Sequence, residues 1–277
     1  MKAQKPSQLQ WLAIAPEQVD LDRQLANFTT AQQHYLRHVL RSHPGDRLIV
    51  TNGQGLAWLA QLIAADSPSA IAAELLDPIA ARSELAVAVT LMAALPKGSG
   101  FDSVVRQAVE LGVAYITPVL SERTLLRPSR QKCDRWQRIA QEAAEQSERL
   151  AVPPVLEPVP FTVGLETWQP TASRYVCVAR RPAPSLLSCL EQDRRNAEIV
   201  GNLAIAIGPE GGWTDAEVET AIGLGYQPVS LGSRILRAVT APVAALSLVS
   251  AVFDPGTRPN HPEGSTPAAE IQIRLPQ

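Results

Sequence analysis

The chain has 277 residues, more than one small hydrophobic core usually requires, so two domains are expected. Its formal charge is −2, from 25 Lys and Arg against 27 Asp and Glu residues, so bulk charge gives no sign of nucleic-acid binding and an RNA site must come from a local basic cluster. No sustained apolar run opens the chain and no stretch reaches membrane-spanning length, so we expect a soluble, cytoplasmic protein without a membrane contact.

Residues 9–80 alternate short apolar runs with turn dipeptides such as Asn52-Gly53 and Asp66-Ser67-Pro68. Strands are predicted at 48–50, 56–64 and 71–76, and strands of this length between such turns indicate a small β-barrel. One helix is predicted at 30–41, with its apolar residues on one face and its basic residues, Arg37, His38 and Arg41, largely opposite.

Neither a metal site nor a disulfide framework is predicted. His34 and His38 are one helical turn apart, but the glutamate of a zinc-protease helix is missing. Cys133, Cys177 and Cys189 are odd in number and contain no C-x-x-C pair.

A second domain is predicted from residue 81 to 253, because the composition turns polar over Asp77–Glu84 before a new apolar run. A strand at 85–95, a helix at 101–111 and a strand at 115–120 follow in that order. Strand, helix, strand is typical of a parallel sheet joined by a right-handed crossover, and hence of an α/β fold.

The stretch 123–138 contains six basic residues against one acidic residue, Asp134, and runs into a helix predicted at 135–149. Such a loop can neutralise several phosphates of RNA. The alternative, a solvated helix face, remains open at this point.

The second half of the domain is predicted as a proline-rich connection at 153–169, a strand at 175–179 and a helix at 186–191. Leu203–Ile207 reads as a buried strand, and Thr214 with Glu217 forms a capping box for the next helix, which ends at Gly225. The last predicted elements are a strand at 228–231, a helix at 241–252 with Thr240 as its N-cap, and a disordered tail at 254–277.

Two glycine-containing loops stand out, Gly208–Trp213 and the stretch around Gly232, each directly after a predicted strand. Ligands of open α/β sheets bind beyond the carboxyl ends of strands, so both loops are expected to border a ligand site at adjacent strand ends. No G-x-G-x-x-G and no G-x-x-x-x-G-K-[ST] is present, and Glu210 argues against a phosphate ligand.

The segments IGPEGG (207–212), LGSRILRAVTA (231–241) and KGSGFDSVVRQAVELGVAYITPVLSERT (97–124) resemble the bacterial RsmE family, the 16S ribosomal RNA (uracil-N3) methyltransferases of the SPOUT superfamily. HYLRHVLR (34–41) with Pro44-Gly45-Asp46 is similar to the start of the family's RNA-binding barrel. The resemblance implies an N-terminal PUA-like β-barrel followed by a SPOUT α/β domain with a C-terminal trefoil knot. It also implies S-adenosyl-L-methionine as cofactor, a homodimer, and 16S ribosomal RNA of the small subunit as partner.

The resemblance and the chemistry assign candidate residues. Cofactor contacts are expected from Ile207, Gly208, Pro209, Gly211, Gly212, Leu231, Gly232, Ile235 and Leu236. RNA contacts are expected from Arg37, Arg41, Arg123, Gln146 and Arg149. Methylation of uracil N3 requires loss of a proton, so Arg237 and Arg234 are the candidates to stabilise the uracil anion, and Glu210 is a candidate proton acceptor.

The chain departs from the family pattern at three places. Trp11 stands where an arginine is often found, Glu148 replaces the glycine of E-Q-S-G-R, and Ala238 and Val239 replace Thr and Glu. If a carboxylate removes the proton, Glu210 or Glu145 must serve, and otherwise hydroxide does so. Two alternatives therefore stay open: an RNA-binding protein of the same fold that transfers no methyl group, and a SPOUT methyltransferase with another RNA target.

Overall fold

A computed structural model describes residues 9–64, 71–80, 83–124, 127–168, 173–196 and 201–254. The turn predicted at 66–68 and the tail predicted beyond 254 lie outside these residues. The chain divides into two compact units, Met1–Ser83 with Ala144–Val152, and Glu84–Ala143 with Pro153–Gln277.

The first unit is built on a curled six-stranded sheet. Its strands are β1 (Trp11–Ala13), β2 (Val19–Asp20), β3 (Leu25–Asn27), β4 (Arg47–Thr51), β5 (Ala57–Ala64) and β6 (Ile71–Pro78). Their order is β1-β4-β5-β6-β3-β2, with only β1 and β4 parallel. The three strands predicted in this region are confirmed as β4, β5 and β6.

The predicted N-terminal helix is confirmed as α1 (Thr30–His34), which continues into a π-helical turn over Tyr35–Val39. Thr29 caps α1 by accepting from the amide of Gln32, whose side chain accepts from the amide of Thr29. Leu36 points into the core of the unit at 1% exposure, so the sheet holds the helix by its apolar face.

Residues 144–152 belong to the first unit, although the chain pattern places them in the second domain. Leu150 packs with Trp11, Ile49 and Ala57, and its carbonyl accepts a hydrogen bond from Oγ1 of Thr51 at 2.8 Å. This segment fills core space between strands more than ninety residues earlier, a long-range contact that local pattern does not reveal.

The second unit contains a six-stranded sheet in which all pairs are parallel, which confirms the predicted α/β architecture. Its strands are β7 (Ala88–Ala94), β8 (Tyr115–Leu120), β9 (Val159–Pro160), β10 (Ser173–Cys177), β11 (Asn202–Ile207) and β12 (Gln227–Val229). Their order is β12-β10-β11-β7-β8-β9. The central β11 is buried on both faces, from Leu203 to Ile207, as its continuous apolar run predicts.

Among the described residues, six helices accompany this sheet: α2 (Gly100–Glu110), α3 (Arg130–Gln146), α4 (Phe161–Thr167), α5 (Leu186–Arg195), α6 (Asp215–Gly223) and α7 (Thr240–Phe253). The capping box of Thr214 and Glu217 at the start of α6 is confirmed. Helix α4 lies where only a connection was expected. Its buried residues Phe161, Gly164 and Leu165 have the helical spacing that reveals it afterwards.

Helices α3 and α7 differ from the predictions at their ends. Helix α3 begins five residues before the expected Arg135 and ends at Gln146, because Glu148 adopts a left-handed backbone with φ +56°. The expectation that Thr240 is the N-cap of α7 was wrong: Thr240 is the first helical residue, and Val239 precedes it without a side-chain cap. The carbonyl of Arg237 already accepts from the amides of Thr240 and Ala241, so the first turn is satisfied by backbone.

Candidate active site

Four neighbouring strands of the second unit, β12, β10, β11 and β7, end at one edge of the sheet because all are parallel. The two glycine-containing loops follow β11 and β12, as expected, but their strands are not adjacent, since β10 lies between them. The loop after β10 is joined to the end of β12, where Ser230 donates to the carbonyl of Pro184 at 2.8 Å. Three loops thus border one edge, namely those after β10, β11 and β12.

The loop after β11, Gly208–Trp213, is built around a buried tryptophan. The Trp213 indole stacks on Phe161 with ring centroids 4.0 Å apart, and its Nε1 donates to the carbonyl of Cys177 at 3.2 Å. A Cβ added at Gly208 would lie 3.2 Å from two carbons of that ring. Glycine at 208 therefore lets the chain turn over the indole.

Three side chains fix the same loop to the ends of β7 and β8. Glu210 accepts from the backbone amide of Lys97 at 2.9 Å, and Arg123 donates from Nη1 to the carbonyl of Gly211 at 2.6 Å. Glu217 accepts from the amide of Glu122 at 2.8 Å while it also caps α6. Sequence reasoning assigned Glu210 to catalysis and Arg123 to RNA, and it treated Glu217 only as a cap.

The backbone of these loops leaves room for a ligand at two glycines. Gly212 and Gly232 have φ +69° and +115°, a conformation suited to glycine, and a Cβ built at either would meet no atom within 4 Å. Open backbone beside a parallel strand end allows close approach of a small molecule.

The loop after β12, residues 230–239, presents the candidate catalytic residues. Arg234 and Arg237 are exposed, and Ile235 has 59% of its surface exposed, while Leu231 and Leu236 are half-buried. Val239 points toward the start of α2, where a Cβ built at Gly100 would lie 2.9 Å from its Cγ1. An apolar contact therefore takes the place of the family's carboxylate at 239.

The residues predicted to bind RNA in the first unit differ in accessibility. Arg41 and Gln146 are exposed and Arg37 is half-buried. Arg149, however, is only 3% exposed. Its burial argues against a direct RNA contact, because a phosphate cannot approach a guanidinium enclosed by protein.

Three of the six basic side chains in the stretch 123–138 form hydrogen bonds or ion pairs within the second unit. Besides Arg123, Lys132 donates to the carbonyl of Gly98 at 3.1 Å, and Arg135 pairs with Asp102 at 3.0 Å. Three further arginines are exposed, namely Arg127, Arg130 and Arg138. Arg127 and Arg130 line an open cavity of about 380 Å³ together with Glu157 and Cys133.

Burial determines the reactivity of the three cysteines. All three cysteines are buried, and burial raises the pKa of the Cys177 thiol to about 12 and also raises the pKa of Cys133 and Cys189. Within the described ranges, no group of three His, Cys, Asp or Glu side chains is gathered that could hold a metal ion. Among the helices described, none combines the length and apolarity needed to cross a membrane.

Comparison with known proteins assigns a domain family to a part of each unit. Residues 83–250 match the RNA methyltransferase domain family and residues 28–75 the RNA methyltransferase PUA domain family. Ribosomal RNA small subunit methyltransferase E of Synechocystis sp. is 47% identical over 88% of this chain and 78% of the relative, and that of Bacillus subtilis is 30% identical over 81% and 89%.

A solved structure shows the same architecture. The Neisseria gonorrhoeae ribosomal RNA small subunit methyltransferase E bound to S-adenosyl methionine has a TM-score of 0.78 and 31% identity, covering 88% of this chain and 98% of that one. The matching domain families, the relatives that cover most of the chain and the shared fold all indicate the same family. The chain belongs to the ribosomal RNA small subunit methyltransferase E (RsmE) family.

Proposed function

We propose that this protein transfers a methyl group from S-adenosyl-L-methionine to N3 of a specific uridine in the 16S ribosomal RNA of the small subunit. The observation that carries the proposal is the set of loops after β10, β11 and β12, which meet at one sheet edge in a member of this family. The enzyme works in the cytoplasm, as expected of a ribosomal RNA-modifying protein.

The loop backbones supply the cofactor site. The segments Ile207–Gly212 and Leu231–Leu236 border it, with the open backbone at Gly212 and Gly232 allowing close approach and with Ile235 and Leu236 beside the adenine. S-adenosyl-L-methionine supplies a methyl group on a positively charged sulfur, which is a good leaving group. In this proposal the chain around these loops forms the trefoil knot of the SPOUT superfamily.

The arginines of the second loop act on the RNA base. As the N3 lone pair forms a bond to the methyl carbon, the bond from that carbon to sulfur breaks and the N3 proton leaves. Arg234 and Arg237, both exposed at the edge, stabilise the negative charge that develops on the uracil. Their alternative role is ion pairing within a dimer.

Three groups are considered as acceptors of the N3 proton, namely Glu210, Glu145 and hydroxide. Val239 offers no acceptor, and Glu145 is half-buried in the first unit, with one oxygen bonded to the amide of Ala13. Glu210 is exposed at the sheet edge, with one oxygen engaged by the Lys97 amide. We therefore place proton removal on Glu210 or on hydroxide.

The first unit binds RNA as a PUA-like barrel, and the protein acts as a homodimer. Exposed Arg41 and Gln146, with half-buried Arg37, provide the RNA contacts of this unit. The dimer covers the side of α7 that its own chain leaves partly exposed.

The test is methyl transfer from labelled S-adenosyl-L-methionine to small ribosomal subunits that lack 3-methyluridine, followed by nucleoside analysis. Labelled 3-methyluridine is expected, and Arg237→Ala should lower kcat by about 100-fold while cofactor affinity by calorimetry stays unchanged. Arg195→Ala, an exposed arginine at the end of α5, is the matched control and should leave both quantities unchanged.

Three other outcomes of this experiment would contradict parts of the proposal. Label on another nucleoside would overturn the assigned base. Cofactor binding without transfer would direct attention to Val239, and absence of cofactor binding would favour an RNA-binding protein of the same fold.

A further inference from the structure

The segment Ser121–Thr124 forms a tight turn directly after β8. The Thr124 amide donates to the carbonyl of Ser121 at 3.0 Å, and the two hydroxyl groups lie 2.8 Å apart. The Ser121 amide also donates to Oγ1 of Thr124 at 3.1 Å, and Ser121 is buried at 8% exposure. The turn is therefore fixed from inside, with Glu122 and Arg123 at its two central positions.

From this turn, Arg123 reaches the loop that follows β11, although β7 separates β8 from β11 in the sheet. Its Nη1 donates to the carbonyl of Gly211 at 2.6 Å and is 3.4 Å from the carbonyl of Trp213. Its aliphatic part lies along the same loop, since a Cβ built at Gly211 would be 3.1 Å from Cδ of Arg123. One side chain thus bonds two carbonyls of the loop and packs against Gly211, which carries the first of them.

A cation bonded to backbone carbonyls is a strong constraint on a loop rich in glycine. Hydrogen bonds with a charged donor are about twice as strong as neutral ones, and glycine loses the most conformational freedom on folding. The neighbouring Glu122 amide, which donates to Glu217, ties the start of α6 to the same turn. Both ends of Gly211–Glu217 are consequently fixed by adjacent residues of the turn.

We infer that Arg123 is a positioning residue for the cofactor, which holds the Gly208–Trp213 loop in its binding shape, rather than a residue that contacts RNA. The inference rests on the proposed cofactor site. It separates the role of Arg123, which is exposed but bonded to the loop, from that of Arg127, Arg130 and Arg138, which are exposed in the same basic stretch.

The test compares Arg123→Ala and Arg123→Lys with the wild type in the full chain and without RNA. Arg123→Ala should weaken binding of S-adenosyl-L-methionine about tenfold in calorimetry, and Arg123→Lys should recover part of that loss because one charged donor remains. Hydrogen exchange without cofactor should show faster exchange of the Gly212 amide, which donates to the carbonyl of Pro209. Arg195→Ala is the control for both measurements.

An arginine that acts only on RNA would leave cofactor affinity and loop exchange unchanged in Arg123→Ala, and that result would overturn the inference. The exchange measurement also distinguishes this failure from failure of the proposed function. If the wild type binds no cofactor while Arg123→Ala still loosens the loop, the loop contact stands and the cofactor assignment falls.

Discussion

Gly208 lies where the backbone passes over a buried aromatic ring. Its φ is not in the left-handed region, so its requirement is steric: an added Cβ would lie 3.2 Å from the Trp213 ring and 3.3 Å from the Trp213 nitrogen. That ring is held by Phe161 and by the carbonyl of Cys177, and it has little freedom to move.

We expect Gly208→Ala to weaken S-adenosyl-L-methionine binding about tenfold, because the loop must shift to relieve the contact. Gly223→Ala at the end of α6 is the matched control, since its Cβ would meet nothing within 4 Å, and it should leave affinity unchanged. Calorimetry measures the affinity of both variants for S-adenosyl-L-methionine. Equal affinity of Gly208→Ala and wild type would remove this glycine from the cofactor site.

Cys177 lies at the end of β10 and is inert by burial. Desolvation raises the pKa of its thiol to about 12 from the ordinary value of 9.0. At pH 8 only about one molecule in ten thousand then carries the reactive thiolate.

We expect Cys177 in the native protein to resist iodoacetamide at pH 8, and all three cysteines to react after denaturation, as followed by peptide mass spectrometry. The raised pKa also stabilises the fold below pH 9 and loses this contribution as the pH rises toward 12, because the unfolded thiol ionises first. As the pH rises above 9, the unfolding temperature of Cys177→Ala should therefore fall less steeply than that of the wild type. Rapid alkylation of native Cys177 would contradict this account.

At the scale of elements, α7 shows two different faces. Ala245, Leu246 and Val249 are fully buried where the helix packs against α2 and α5. On the other side Ser247 and Ala251 are exposed, and Ala244 and Leu248 are half-buried. An apolar helix with one face left open needs a partner surface, which in our proposal is a second copy of the chain.

We expect Leu248→Glu to convert the proposed dimer to a monomer at micromolar concentration, because a carboxylate would be buried without a partner at the interface. Light scattering measures the mass directly. Ile222→Glu on α6, at a position 38% exposed, introduces the same charge on another helix and should leave the mass unchanged. A wild-type monomer under these conditions would exclude the dimer itself.

At the scale of the whole molecule, the first unit depends on a segment distant in sequence. Leu150 joins the cluster of Trp11, Ile49 and Ala57, and its backbone bonds Thr51 and Gly55. The unit is therefore completed only after the chain has passed through residues 84–143 of the second unit.

We expect Leu150→Ala to destabilise the first unit by about 2–4 kcal/mol, the usual cost of a cavity left by a buried leucine. Hydrogen exchange should become faster in β4 and β5 and stay unchanged in β11. Leu56→Ala, at a position 53% exposed, is the control and should change stability by less than about 0.5 kcal/mol. Uniform acceleration in both units would show that they unfold together.

Local pattern was sufficient for the elements whose signals lie close together in the chain. The apolar run Leu203–Ile207 predicted β11, and Thr214 with Glu217 predicted the start of α6. The motifs at 207–212 and 231–241 also placed the site at strand ends and led to the family, which the comparisons confirmed. Helix α4 was missed because the prolines around it outweighed the short apolar spacing of Phe161, Gly164 and Leu165.

Only the tertiary structure decided which distant groups each charged side chain contacts. A charge pattern cannot distinguish a cation that faces RNA from one that bonds a backbone carbonyl, so Arg123 and Arg149 both read as RNA contacts. The fold turns Arg123 toward the carbonyl of Gly211 and buries Arg149. By itself, then, the sequence determined the family and the longer elements, but not α4 or the short strands β1, β2, β3 and β9, because only the longer elements have a clear pattern among neighbouring residues. The partners of each charge were settled by folding, which brings together residues as far apart as Arg123 and Gly211.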